Sequence, residues 1–311
     1  MKQLKIRFEW FYPGSNSHID FFLQIYRSIG IGVEIVTKPK DYCDLEIIGV
    51  HKPRRTKVLN RITNLMSNGP IGDVDSTLLY PKLYNPRTSN ARNRIWFTME
   101  NIRPPMQEDL LTSLSYDQFD FGGTNVYLPC WYLEVGIFEP VQRDWVGIES
   151  NMSSLLNPRR LEGFNSKKFA CSIFRNPHQV RLRGIEALNT IEKVDLYGPI
   201  SGRFLKDKFS VARNYKYTVC FENDLYPGYV TEKLLESYIT GTVPIYWGDL
   251  GNDQSINRDS FINMKDFGTM DEFVDFIANI DDVKYQEIFE QPFLNSVPDI
   301  SSIQRILARM L

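Results

Sequence analysis

Apolar and polar residues alternate from Leu4 to Trp10 with the period of a half-buried strand, and between His18 and Ile29 the positions Ile19, Phe22, Leu23 and Tyr26 recur at helical spacing. The pattern predicts a strand followed by a helix. Ile31 to Thr37 and Cys43 to Gly49 read as short strands, and Arg94 to Met99, with Ile95, Trp96 and Phe97 adjacent, as a buried one. Further along, Phe169 to Phe174, Val180 to Ile191 and Val194 to Tyr197 predict strand, helix and strand, the last stopping at Gly198-Pro199. The same order returns at Tyr217 to Phe221, Thr231 to Thr240 and Val243 to Tyr246, followed by an amphipathic helix at Met270 to Ile280. A final helix is expected over Ile300 to Leu311, with Ile303, Ile306 and Leu307 on one face. Repeated strand and helix alternation predicts an α/β protein with parallel, doubly wound sheets.

Between Val146 and Lys168 the chain is rich in Asn, Ser, Pro and Arg, the composition of a connection between domains. The expected division is therefore 1–155 and 156–290, with 291–311 as a helical segment that can pack back on the first domain. A length of 311 residues fits two domains at roughly 100–200 residues each. A hydrophobic fraction of 42% with 24% charged residues describes ordinary globular cores.

Charge changes the picture mainly by exclusion. With 36 Lys+Arg against 38 Asp+Glu, the formal net charge of −2 gives no reason to expect nucleic acid or an anionic membrane as partner for the whole chain. An anionic ligand must then be held by a local site. Cys43, Cys130, Cys171 and Cys220 form no Cys-x-x-Cys pair, so neither a zinc ribbon nor a disulfide framework is indicated and buried thiols are expected. The stretch from Met1 to Arg7 lacks the apolar run of a signal peptide. Nowhere is there the run of ~20 apolar residues that a membrane span needs, so a cytoplasmic location is expected. An Asn-x-Ser triplet at Asn151 stands alone as a sign of secretion.

The candidate chemistry lies at strand ends. From Phe221 to Lys233 the chain leaves an apolar strand, turns at Pro227-Gly228 and enters a helix with Thr231, Glu232 and Lys233 in its first turn. A helix N-terminus at the C-terminal edge of a parallel sheet offers unpaired N–H groups to phosphate. Lys233 there opposes the helix dipole unless an anion is close. Taken singly, Thr231 is a helix cap, Glu232 a first-turn acid and Lys233 a solvated side chain. Upstream, Arg181 or Arg183 offers the planar donor fork suited to a diphosphate. Glu100 follows the buried strand through Trp96 and Phe97, where a carboxylate either terminates the strand with a salt bridge or acts as a base.

Three segments, Phe221-Glu222-Asn223, Tyr229-Val230-Thr231-Glu232-Lys233 and Gly241-Thr242-Val243-Pro244-Ile245-Tyr246, resemble the signature of the α-1,3/4-fucosyltransferases, glycosyltransferase family 10. Phe174-Arg175-Asn176-Pro177 with Arg181 and Leu188 is similar to the family's other donor-side segment, with the interval from Asn176 to Arg181 one residue shorter and that from Arg181 to Leu188 matching. The resemblance implies two Rossmann-like domains facing across a cleft, the GT-B arrangement, with the acceptor on the N-terminal domain and GDP-fucose on the C-terminal one. It implies that Arg181 and Lys233 neutralise the diphosphate, that Glu232 contacts fucose or ribose hydroxyls, and that Asn223 and Tyr229 line the donor pocket. Trp96-Phe97-Thr98-Met99-Glu100 resembles the family's acceptor-side strand, which makes Glu100 the catalytic base. The implied reaction is inverting transfer from GDP-fucose to the 3-hydroxyl of GlcNAc in a β-galactosyl-GlcNAc glycan of protein or lipopolysaccharide, with no metal or tightly bound cofactor.

Other readings compete at particular residues. Asp73 and Asp75 form an acidic triplet with Val74, of the kind that holds a divalent metal in another class of sugar transferase, although turn residues from Gly69 to Gly72 favour a turn or cap role. A non-catalytic sugar- or nucleotide-binding protein would use the same donor residues. Trp10, Phe11, Tyr12, Trp131 and Tyr132 are candidates for stacking on sugar rings, and equally for core packing. His18, His51 and His178 have no metal-ligand spacing, and only His178 falls near the donor segment.

Overall fold

A computed structural model describes residues 3–9, 11, 16–38, 40–49, 90–100, 112–143, 148–161 and 167–309. The chain divides into two compact units, one of residues 1–128 with 299–311 and the other of residues 129–298.

The first unit is built on a six-stranded sheet of β1 (Gln3–Glu9), β2 (Gly32–Ile35), β3 (Cys43–Ile48), β4 (Ala91–Phe97), β5 (Thr112–Ser115) and β6 (Asn125–Tyr127), in the order β2-β1-β3-β4-β5-β6. Every pairing in it is parallel. Helix α1 (Asn16–Ser28) links β1 to β2 and buries Phe21, Phe22, Ile25 and Tyr26. Its Phe22 ring meets Phe97 of β4 edge-on at 5.3 Å, the kind of contact that adds to simple area burial. The terminal helix belongs to this unit, where the Tyr26 hydroxyl donates to the Leu307 carbonyl at 3.3 Å.

Charge is also built into this sheet. The register places Arg7 beside Glu46 and Glu46 beside Arg94 on adjacent strands. Arg7 and Glu46 are almost wholly buried, and two Arg7 nitrogens reach Oε1 of Glu46 at 2.8 Å. Arg94 Nε holds the other carboxylate oxygen at 3.3 Å, while Arg7 also donates to the carbonyls of Lys38 and Asp41 at 3.1 Å.

The second unit carries the small antiparallel pair β7 (Val141–Arg143) and β8 (Ile148–Ser150), the short helix α2 (Met152–Leu156), and then a five-stranded parallel sheet. Its strands are β9 (Lys168–Ile173), β10 (Val194–Tyr197), β11 (Tyr215–Phe221), β12 (Val243–Trp247) and β13 (Ile262–Asn263), in the order β10-β9-β11-β12-β13. Helix α3 (Gln179–Leu188) crosses from β9 to β10, α4 (Lys208–Ala212) precedes β11, and α5 (Glu232–Ile239) crosses from β11 to β12. Helices α6 (Met270–Ala278) and α7 (Asp282–Phe289) close the core with Phe273, Ile277, Tyr285 and Phe289 against Phe169, Val219 and Ile245. The last helix of the chain is α8 (Ser301–Ala308).

The division falls at 128/129, whereas the sequence pattern placed it near 155. From Val146 to Leu161 the chain is poor in large apolar residues, yet contacts from Trp131, Leu155 and Arg159 bind this part of the chain to the second unit. Trp131 is fully buried against the Phe293 ring, and the Leu294 N–H donates to the Leu155 carbonyl at 2.9 Å. The Arg159 guanidinium lies 3.7 Å over the Tyr238 ring and 4.0 Å over that of Phe289, and its Nε donates to the Phe289 carbonyl at 2.9 Å. An arginine here does the packing that composition assigns to a solvated linker.

Removing one partner of a buried ion pair leaves the other charged and dry, at a cost of about 3–5 kcal/mol. Glu46→Ala is therefore expected to destabilise the first unit by that amount in urea unfolding. A change below about 1 kcal/mol, the range of exposed pairs, would contradict the role given to this ladder.

Candidate functional site

In the second unit the chain runs outward from β9 to β10 through α3, and in the other direction from β11 to β12 through α5, while β9 and β11 are neighbours. The crevice outside the carboxyl ends of such a pair is where open parallel sheets bind ligands. Two loops border it: 174–178 after β9 and 222–231 after β11.

Glu222 follows β11 directly and has no exposed surface. Its carboxylate accepts from the Thr231 N–H at 2.8 Å, from the Thr231 hydroxyl at 2.8 and 3.0 Å, from Lys233 Nζ at 3.0 Å and from the Tyr246 hydroxyl at 3.3 Å. Thr231 is the N-cap of α5, its hydroxyl oxygen also facing the Lys233 N–H at 3.5 Å. The positive charge of Lys233 in a first helical turn, unfavourable against the dipole, is thus held by a buried acid.

The electrostatics follow from these neighbours. Burial alone would lower the Lys233 ammonium, but Glu222 and then Glu232 outweigh it and raise its pKa. Burial would likewise raise the Glu232 carboxyl, and Lys233 and Lys208 instead bring it down to about 2. The Glu232 side chain keeps 37% of its surface exposed, so solvent screens part of this attraction. The Cys130 thiol, whose pKa burial raises well above the usual thiol range, lies 3.7 Å from Glu232 Oε2.

Arg181, in the first turn of α3, is 2% exposed. Its guanidinium donates to the Asn176 carbonyl, to those of Phe221 at 2.5 Å and Glu222 at 3.3 Å, and to Asn223 Oδ1 at 3.4 Å. It ties the two loops together. Two residues on a helix is about 200° of rotation, so Arg183 is turned away and is exposed. Asn223 is half-buried at the loop start, and Tyr229 is 1% exposed. Gly198 after β10 is needed as glycine: its φ is +114° and a Cβ would stand 2.1 Å from the Phe174 carbonyl oxygen.

Residues 165–292 match the profile "Glycosyltransferase family 10 (fucosyltransferase) C-term". This segment is similar to the C-terminal domain of that family. The chain is similar to the "Alpha-(1,3)-fucosyltransferase FucT" of Helicobacter pylori, 28% identical over 244 residues that cover 70% of this chain and 48% of that protein. It therefore spans about half the length of that relative. The bovine "4-galactosyl-N-acetylglucosaminide 3-alpha-L-fucosyltransferase 9" is 28% identical over 131 residues, 40% of this chain and 36% of that one. A crystal structure of an α1,3-fucosyltransferase superposes with a TM-score of 0.66 at 21% identity, over 99% of this chain and 88% of the other. The same comparison with a GDP-fucose complex gives 0.65 at 20%, over 99% and 90%. The α/β fold with two parallel sheets is thus shared along the whole chain.

The matched segment contains Arg181, Asn223, Tyr229, Glu232 and Lys233. Glu100 belongs to the first unit, just past the C-terminal end of β4, where its side chain is exposed and its N–H and carbonyl both meet the Thr98 hydroxyl, at 3.2 and 3.1 Å. Trp131 and Tyr132 are buried within the second unit and present no face for sugar stacking, and Phe11 stacks on Phe97 at 5.6 Å. Trp10, Tyr12, His51, Asp73 and Asp75 lie outside the described residues. His178 is the N-cap residue of α3, stacked 6.3 Å from Trp247.

Glu222 was the residue that sequence reasoning left without a role. Its signal was an acid placed directly after an apolar strand and before a first-turn lysine. Because Glu232 is held low in the folded state, it stabilises the fold above its ordinary pKa of 4.5, and that contribution is lost as pH falls toward about 2. Glu232→Gln should accordingly flatten the loss of stability between those limits in acid titration of the unfolding midpoint. An unchanged acid slope would remove the Lys233 and Lys208 attraction from the account.

Proposed function

We propose that the protein transfers fucose from GDP-fucose to a glycan hydroxyl, with the donor at the β9/β11 switch point of the matched segment. The observation that carries the reading is the α5 N-terminus, where Thr231, Glu232 and Lys233 meet at the carboxyl edge of a parallel sheet inside the segment that matches the fucosyltransferase family.

Each residue has a stated part in this reading. Lys233 carries positive charge to the diphosphate, where negative charge grows as GDP departs, and preorganised cations stabilise such charge as it develops. Arg181 adds its positive charge and fixes both loops. Glu232 accepts hydrogen bonds from sugar hydroxyls, which its lowered pKa allows by keeping it ionised. Asn223 and Tyr229 complete the pocket wall. Glu100 takes the proton from the acceptor hydroxyl, whose oxygen attacks the anomeric carbon through an oxocarbenium-like transition state. The bond to the β-phosphate oxygen breaks as the new bond forms on the opposite face, so a β-linked donor gives an α-linked product.

The names of the Helicobacter and bovine relatives support an α-1,3 linkage, and the bovine name supports a galactosyl-N-acetylglucosamine acceptor. Catalysis proceeds without a metal, because the cations are supplied by side chains. No helix among the described residues is long and apolar enough to cross a membrane.

The division of labour is tested by assaying Lys233→Ala, Arg181→Ala and Glu100→Ala with GDP-fucose and a β-galactosyl-GlcNAc acceptor in EDTA, alongside calorimetric titration with GDP. The first two are expected to weaken GDP by roughly tenfold or more, about 1.4 kcal/mol. Glu100→Ala is expected to lower kcat by about 10²–10⁴, the range for a lost general base, with GDP affinity unchanged. Equal loss of GDP affinity in all three, or wild-type turnover that ceases in EDTA, would overturn the reading.

A further inference from the structure

A lysine ammonium has three N–H donors, and on Lys233 two of them are in use: one reaches Glu222 Oε2 at 3.0 Å and one the Thr231 hydroxyl oxygen at 2.8 Å. The third has no acceptor within hydrogen-bond distance among the described residues, and Glu232 Oε1 stands 3.9 Å away. One donor is therefore left for a ligand, and the two that are held set its direction. Thr231 is itself fixed by Glu222, which accepts from its N–H and from its hydroxyl, each at 2.8 Å. The Tyr246 hydroxyl holds the carboxylate from the far side at 3.3 Å. Each of these links ends on Glu222.

The same acid brings a negative charge that water cannot screen, because it has no exposed surface. With 3.0 Å between Lys233 Nζ and Glu222, a phosphate oxygen bonded to that ammonium at ~2.8 Å stands no more than about 6 Å from the carboxylate. Glu222 thus repels the anion that Lys233 attracts. The attraction is kept but reduced, and it is reduced for GDP-fucose and for GDP alike. Affinity shared by ground state and product does not speed the chemical step. An N–H already aimed at the oxygen on which charge grows does, since its contact strengthens as GDP departs. Holding the direction of Lys233 while limiting its pull on the ground state is the combination that favours turnover.

We infer that Glu222 is a positioning residue for the transfer: it aims the one open N–H of Lys233 at the diphosphate and, by its charge, limits how tightly GDP is held. The inference rests on the donor reading above, and the experiment separates the two. Wild type, Glu222→Gln and Glu222→Asp are compared by calorimetric titration with GDP and by kcat and KM for GDP-fucose, with thermal unfolding showing that each is folded at the assay temperature. Glu222→Gln removes the charge and keeps an acceptor for Lys233, so GDP is expected to bind roughly threefold or more tighter than to wild type, with a steeper dependence on salt. Glu222→Asp keeps the charge and withdraws the carboxylate by one methylene. There GDP affinity is expected to stay within about twofold of wild type while kcat falls roughly tenfold or more, as misplacement of a catalytic contact does. An acid with a purely structural part gives a different pattern, GDP weakened in both variants in step with lost thermal stability. GDP affinity in Glu222→Gln equal to or below that of wild type overturns the charge role, and kcat within about twofold of wild type in Glu222→Asp overturns the aiming. Should Glu222→Gln not fold, Glu222→Asp decides on the same criteria. Absence of GDP binding to the wild type would instead overturn the donor reading itself.

Discussion

A carboxylate with no access to water stays charged only if donors surround it, and Glu222 is met by a backbone amide, a hydroxyl, an ammonium and a phenol. Those four groups come from Thr231, Lys233 and Tyr246, that is, from the helix that follows β11 and from the strand beyond it. Satisfying one buried acid therefore fixes the start of α5, the height of Lys233 above the sheet and the spacing of β11 from β12. The same acid removes the conflict between a first-turn lysine and the helix dipole. Without Glu222, Lys233 would be drawn toward solvent and the N-terminus of α5 would lose its anchor.

Arg181 performs the complementary task on the other loop. Its donors join carbonyls from 176, 221 and 222, so the loops after β9 and β11 are held together at the point where the topology reverses. The carbonyls of two strand ends converge there, and a buried planar cation satisfies them together. Functional side chains placed on such a rigid frame lose little freedom when a ligand arrives. Part of the Glu232 side chain stays open to solvent at the same edge.

Strand and helix periodicity was readable wherever one face is buried. Cys43–Ile48, Lys168–Ile173 and Tyr215–Phe221 lie close to their expected positions because apolar residues dominate each, Cys43–Ile48 by alternation with Asp44 and Glu46 and the other two as mostly apolar stretches. The short strands Thr112–Ser115 and Asn125–Tyr127 were not readable: apart from Leu114 their buried positions are Thr, Ser and Asn, which join one another through hydrogen bonds such as Ser113 and Ser115 to Asn125 Oδ1 at 2.7 Å. The stretch before 156 joins the second unit through Trp131 against the Phe293 ring and Leu155 paired with Leu294, contacts far apart in sequence that composition cannot show. The order of Thr231, Glu232 and Lys233 pointed to the site, but the neutralisation of Lys233 depends on a contact eleven positions away in sequence, which spacing along a helix cannot show.

The central claim is that the switch point of the second unit, bordered by 174–178 and 222–233, receives the nucleotide diphosphate. Hydrogen exchange of backbone amides with and without GDP tests it most directly. Protection is expected in peptides that span both segments, with the α5 first turn slowed together with the start of α3. Protection confined to other strand ends, or binding of GDP that leaves both segments unchanged, would contradict the account.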